Sequence, residues 1–233
     1  MLTELKKQVL TANLSLVKYG LVTLTWGNVS GIDRAKGLIV IKPSGVGYGE
    51  MKSTDMVVVD LDGKVVEGKL RPSSDTPTHI GLYNAFPKIG GITHTHSVNA
   101  TAFAQAGKGI PCFGTTHADV FDGPVPITRL MTEEEVRTAY EKNTGKVIIE
   151  RLKGLDPVST VGVLVKGHGP FCWGRDAEDS VKNSLMLERL AEMALKTLQI
   201  NPDAVEIPGY VLTKHHERKH GKNAYYGQEG RKS

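Results

Sequence analysis

The chain has 233 residues, 39% hydrophobic and 23% charged, with 26 Gly and 11 Pro; this excludes collagen, coiled coil and disorder and fits one globular core. Six of the 29 basic and two of the 25 acidic residues fall in the last 20, so the remainder carries 23 of each sign and lacks the basic face that a nucleic-acid partner requires. No apolar run approaches the roughly 20 residues that span a bilayer, no signal-peptide pattern opens the chain, and Cys112 and Cys172 are too few for a disulfide framework. A cytoplasmic protein with free thiols is expected.

Leu2, Leu5, Val9, Ala12 and Leu16 recur at spacings of three and four, which predicts a helix over 2–18 that Gly20 stops. The apolar run 38–41, closed by Pro43, and the runs 56–60 and 64–67 around Asp62-Gly63 predict strands, the last two as a hairpin. A helix follows near 76–86, with Asp75 or Thr76 as its cap and Pro77 in the first turn. Next come a strand near 91–96 and a helix near 97–106. Thr132 and Glu135 form a capping box before helices near 132–142 and 144–153. A strand at 161–166, a long helix at 177–199 capped by Asp176, a proline-bearing connector and a last short helix at 210–220 complete the order. This is an α/β chain, and the early hairpin means that its sheet is not purely parallel.

Chemistry concentrates at strand ends and loops. His94 and His96 are two apart in Ile92-Thr93-His94-Thr95-His96, so on a strand their imidazoles share a face. His168 follows the apolar run Val163-Leu164-Val165 between two glycines. Three imidazoles with an open position are the donor set of a catalytic zinc-type site, although His168 alone also reads as a polar turn residue. Arg71-Pro72-Ser73-Ser74-Asp75-Thr76-Pro77 reads either as a helix cap or as an anion site with an acid in reach of a metal. Trp26-Gly27-Asn28-Val29-Ser30 and Lys42-Pro43-Ser44-Gly45 read singly as loops; together they supply the donors and the cation that a sugar phosphate needs. In Gly114-Thr115-Thr116-His117-Ala118-Asp119, the acid reads as a loop carboxylate and His117 as a structural imidazole. The basic segment from Lys214 to His220, with Tyr225-Tyr226 beyond it, reads as a surface or subunit contact.

Taken in order, these segments resemble the class II aldolase and epimerase family, in its epimerase branch, over almost the whole chain. The resemblance implies a three-layer α/β/α sandwich with a central mixed, largely antiparallel sheet, one domain over 1–228 and a disordered tail at 229–233. It implies a homotetramer whose active site a neighbouring subunit completes, and one divalent metal per subunit, zinc or another such as manganese, on His94, His96 and His168 with Asp75 in the fourth position. Gly27, Asn28, Lys42, Ser44, Gly45, Ser73 and Ser74 match the phosphate and substrate loops, and His215 and Arg218 join the substrate-binding set.

The implied reaction interconverts L-ribulose 5-phosphate and D-xylulose 5-phosphate, with arabinose catabolism as the expected setting and ascorbate breakdown using the same step. C4 carries no acidic proton, so epimerisation there requires breaking and re-forming C3–C4. That leaves an enediolate and an aldehyde to be held in place. Two proton carriers are then needed, and the resemblance assigns them to Asp119 and to Tyr226 from a neighbouring subunit. An ordinary Tyr titrates at about 10, so a nearby metal or cation such as His215 or Arg218 would have to assist it. One departure is the run Asp119-Val120-Phe121-Asp122, where the family usually has an aromatic residue after the acid. The rival readings are a sugar-1-phosphate aldolase of the fuculose or rhamnulose type, which has Glu at the Asp75 position and lacks the Asp119 motif, and an adducin-like binding module, which would have lost metal ligands.

Overall fold

The computed structural model describes residues 2–222 and 224–226; the tail predicted at 229–233 lies outside them. In chain order the elements are α1 (Thr3–Lys18), β1 (Asn28–Asp33), β2 (Leu38–Ile41), β3 (Val57–Asp60), β4 (Val65–Glu67), α2 (Thr76–Ala85), β5 (Gly91–His94), α3 (Val98–Ala106), α4 (Thr115–Ala118), α5 (Glu133–Arg151), β6 (Gly162–Val165), β7 (Gly169–Gly174), α6 (Ala177–Ile200) and α7 (Gly209–His220). The seven strands form one sheet in the order β4-β3-β2-β1-β5-β7-β6, antiparallel at every pairing. A lone parallel bridge joins Ile127 to Leu164 at its edge.

Alternation along each strand sorts the core into two layers. Ile39, Val57, Val59, Ile92, Val163, Val165, Phe171 and Trp173 pack with Leu82 and Tyr83 of α2 and Ile148 of α5. On the opposite face Val29, Val40 and Val58 meet Val9 and Leu16 of α1, while Leu164 and Cys172 meet Ala100 of α3 and Leu187 of α6. The result is an α/β/α sandwich. Both cysteines are free and buried, and among the described residues no helix is long and apolar enough to cross a membrane.

Several local expectations need correction. The segment at Asn28–Asp33 reads as a polar loop but is a central strand, because its buried polar atoms find partners: Ser30 meets His79 and Tyr83, and the amide of Val29 donates to Asn13. Gly169–Gly174 is likewise a strand that the Gly-Pro signal hid. The strand predicted to 96 ends at His94. The two helices predicted near 132–142 and 144–153 are present as two segments of α5, but the break falls at Ala139 (φ −162, ψ 71), with Asn143 Nδ2 donating to the Glu135 carbonyl there. The Thr132–Glu135 capping box and the Asp176 cap are present, whereas the Asp75 side chain does not cap α2.

The N-terminus of α6 docks directly onto β5. A Cβ on Gly91 would collide with the backbone of Asp176 and Ala177, and Thr93 Oγ1 meets Ser180 Oγ at 2.7 Å just beyond. Gly91→Ala is therefore expected to cost about 1–3 kcal/mol or more, checked by urea unfolding; unchanged stability would show that the helix can slide away at no cost.

Candidate active site

The central strands end at one level. Asn28 of β1 pairs with His94 of β5, which pairs with Phe171 of β7. His96 lies two residues past the strand end, and His168 sits in the tight connection between β6 and β7. Their rings converge: His94–His96 centroids are 4.9 Å apart, His94–His168 4.8 Å and His96–His168 5.1 Å. One ring nitrogen from each lies within 4.8 Å of the others.

The remaining ring contacts fit a cation. His94 Nδ1 donates to the Pro170 carbonyl at 2.9 Å, which directs a lone pair at Nε2. His96 Nε2 is buried without a hydrogen-bond partner among the described residues. His168 Nδ1 lies 3.4 Å from the Tyr140 hydroxyl. Burial, then the neighbouring imidazoles, pushes His168 down to about 3, and burial followed by His94 lowers His96 as well. Three converging imidazoles on a partly open rim are a metal donor set.

Asp75 is near this group but outside it: its Oδ2 accepts from Asn28 Nδ2 at 2.7 Å. Burial works against its ionisation, yet the adjacent His94 and His79 and the Asn28 bond hold it below the usual carboxylate range. Tyr140 is the residue that sequence reasoning missed. The bend at Ala139 is the local departure that accompanies its approach to His168, and nothing in the surrounding sequence marks that bend.

The three anion loops come together. Ser44 N–H donates to the Arg71 carbonyl, Ser73 N–H to that of Lys42, and Pro43 bridges Pro72. Tyr48 Oη ties in the third loop by donating to Trp26 and Gly27 carbonyls at 2.7 and 2.9 Å. Gly27 has φ +76, where an L side chain is strained, and a Cβ there would press on the His94 carbonyl at 2.9 Å. Ser44, Gly45 and Ser74 are exposed, while Lys42 is only 2% exposed. Its ammonium reaches the Thr25 and Pro43 carbonyls at 3.4 and 3.3 Å and the Tyr48 ring. Burial lowers its pKa, and no carboxylate pairs with it among the described residues, so an anion entering these loops would meet an uncompensated cation.

A second group forms around Asp119, at the end of α4. Arg218 holds its carboxylate at 3.0 and 2.6 Å, His215 Nδ1 lies at 3.1 Å and Lys219 at 3.7 Å. Burial raises its pKa, but the hydrogen bonds from Arg218 and His215 and the charges of Lys219 and Arg218 lower it overall. The chain turns after α7 so that Tyr226 lies over Arg218 at 4.9 Å and Lys219 at 4.5 Å. Val120 is partly buried against the core cluster of Phe121, Val125 and Leu164. His117 proves structural: it is 4% exposed, with Nε2 meeting the Gly123 carbonyl. Among the described residues, no hydrogen bond, ion pair or ring contact joins this group to the three histidines.

Residues 7–195 match the family described as "Class II Aldolase and Adducin N-terminal domain", and the chain belongs to that family. It is 59% identical over 226 residues, 97% of this chain and 99% of the relative, to "L-ribulose-5-phosphate 4-epimerase UlaF" of Salmonella paratyphi A, and equally to that of Salmonella typhi. Among solved structures, an "L-fuculose 1-phosphate aldolase" superposes with TM-score 0.78 at 26% identity, covering 92% of this chain and 95% of that one. Another, from Glaciozyma antarctica PI12, has TM-score 0.76 at 18% identity, covers 95% and 84% of the two chains, and shows the shared fold.

The buried imidazoles make acid lability predictable. His79 and His168 are pushed down to about 3 and His117 to about 4, each chiefly by burial. Unfolded histidine takes up its proton near 6.5, so below that pH the unfolded chain binds more protons and stability falls. The slope is up to about 1.4 kcal/mol per pH unit for each ring until its lowered pKa is reached. In EDTA-treated protein the urea midpoint is expected to drop between pH 7 and pH 5; a level midpoint would contradict neutral burial of these rings.

Proposed function

We propose that the chain interconverts L-ribulose 5-phosphate and D-xylulose 5-phosphate by cleaving and re-forming C3–C4, with residues 1–228 acting as one catalytic domain in a cytoplasmic homotetramer. The observation that carries this reading is the convergence of His94, His96 and His168 beside an anion pocket, in a chain 59% identical to relatives named for this epimerisation. His94, His96 and His168 would hold a divalent ion, zinc in first place, with Asp75 beside them. Bound there, it would supply the Lewis acid that carbon–carbon cleavage requires.

The chain's own residues divide the remaining work. Ser44, Gly45, Ser73 and Ser74 offer hydroxyls and N–H groups to the phosphate, and Lys42 supplies the buried charge that retains it. Asn28 pairs with His94 on the adjoining strand and Gly27 lies against the His94 carbonyl, which links those loops to the histidines. Retention of the phosphate-bearing fragment lets the aldehyde turn and recombine before it escapes. Asp119, kept ionised by Arg218, takes a proton at its carboxylate on one face of C4, and the Tyr226 hydroxyl serves the other. The separation of these two from the histidines within a chain supports a site that a neighbouring subunit completes. Because Tyr226 lies on the Arg218 that binds Asp119, the neighbour would bring both together with His215 and Arg218.

The direct test is a coupled assay of zinc- or manganese-loaded protein with L-ribulose 5-phosphate, following D-xylulose 5-phosphate, beside an EDTA-treated control. Metal-dependent product is expected. Aldehyde released from fuculose or rhamnulose 1-phosphate, with no epimerisation, would establish the aldolase reading instead. Tyr226→Phe and Asp119→Asn are each expected to lower kcat by about 10²–10⁴-fold, with KM changed far less; a normal kcat would remove that residue from the mechanism.

A further inference from the structure

Behind Asp75 lies a buried chain of polar side chains. Ser30 Oγ on β1 is 2.7 Å from His79 Nδ1 and 2.8 Å from Tyr83 Oη, both on α2, and all three residues are fully buried. Their protons can be placed one by one. Ser30 Oγ is the one hydrogen-bond partner that the described residues offer the Tyr83 hydroxyl, and so the one acceptor for its proton. Ser30 therefore accepts from Tyr83 and gives its single proton to His79 Nδ1. An imidazole that accepts at Nδ1 and stays neutral carries its proton on Nε2; burial keeps this ring neutral, with its pKa at about 3.

That Nε2 is buried with no hydrogen-bond partner among the described residues. Asp75 stands one helical turn before His79, and its negative charge favours a proton on the ring. Asn28 occupies Asp75 Oδ2, which leaves Oδ1 open to a second donor.

We propose that Tyr83, Ser30 and His79 form a proton-ordered relay that fixes His79 as the Nε2–H tautomer and makes it the positioning residue for Asp75, steadying that carboxylate toward the three histidines when metal is bound. The second half of this inference rests on the reading of the histidines as a metal centre; the tautomer does not. Second donors of this kind fix the orientation of acids at metal sites.

Nitrogen-15 NMR of histidine-labelled protein tests the relay without metal or substrate. The His79 signals, assigned by their loss in His79→Gln, are expected to show a pyridine-like Nδ1 and a pyrrole-like Nε2, and Ser30→Ala is expected to abolish that preference. The opposite tautomer would overturn the relay. Zinc affinity, read by competition with a chromophoric chelator, tests the positioning role. His79→Gln places an amide N–H near the Nε2 position and is expected to hold zinc within about threefold of wild type. His79→Asn reaches only the Nδ1 position and is expected to lose about 10- to 100-fold. Equal affinity in the two variants would overturn positioning. If His79→Asn does not fold, Ser30→Ala against Ser30→Thr replaces the pair, with the threonine hydroxyl expected to restore binding and equal affinities overturning the proposal. A wild-type protein that binds no zinc would refute the metal reading and positioning with it, leaving the NMR signal to decide the relay.

Discussion

The register across β1, β5 and β7 is the constraint on which the site depends. Asn28, His94 and Phe171 stand in one row, and the three histidines and Asp75 take their places from that row. Asn28 reaches sideways to Asp75, the Pro170 carbonyl beside Phe171 fixes the His94 ring, and His168 turns over the end of β7. A slip of one residue in any of these ladders would send its side chains to the other face. Sheet pairing, tight packing of α6 against Gly91 and ring orientation are therefore one problem of geometry.

Polar burial gives the site its shape at some cost in stability. Ser30, His79, Tyr83, Lys42 and Asn28 are all buried, where apolar residues would pack more cheaply. Most are satisfied by partners from distant parts of the chain, which ties α2 to β1 and the 42–45 loop to the 71–75 loop. Among the described residues His79 Nε2 and Asn28 Oδ1 lack partners, and the Lys42 ammonium meets carbonyls and an aromatic face but no carboxylate. Its position makes sense as a site prepared for an anion before the anion arrives.

Much of this was legible in the sequence, and the gaps have physical causes. Helices with clear periodicity or caps, such as α1 and α6, fall where the apolar spacing puts them, and the three histidines were recognisable as a set. What remained hidden were strands whose composition imitates loops. β1 is written in Asn, Ser and Gly, whose buried polar atoms find partners only in the fold, and β7 opens with Gly-Pro, where the Pro170 carbonyl takes both the His94 ring and the Thr95 amide. Asp75 looked like a cap, and only the fold shows Asn28 taking its carboxylate. Tyr140 could not be read at all, since its place depends on a bend that no glycine or proline announces.

The last helix differs in kind from the rest. No residue of α7 is buried, and it is held on α4 largely by the charges around Asp119, so little apolar area opposes its release. The three histidines and the loops around Lys42 sit on the rigid sheet and its connections, whereas Tyr226, proposed as a proton carrier, rides on an arm that salt can loosen. High ionic strength would thus act as a selective poison, leaving a folded protein that still gathers its ligands but can no longer turn them over.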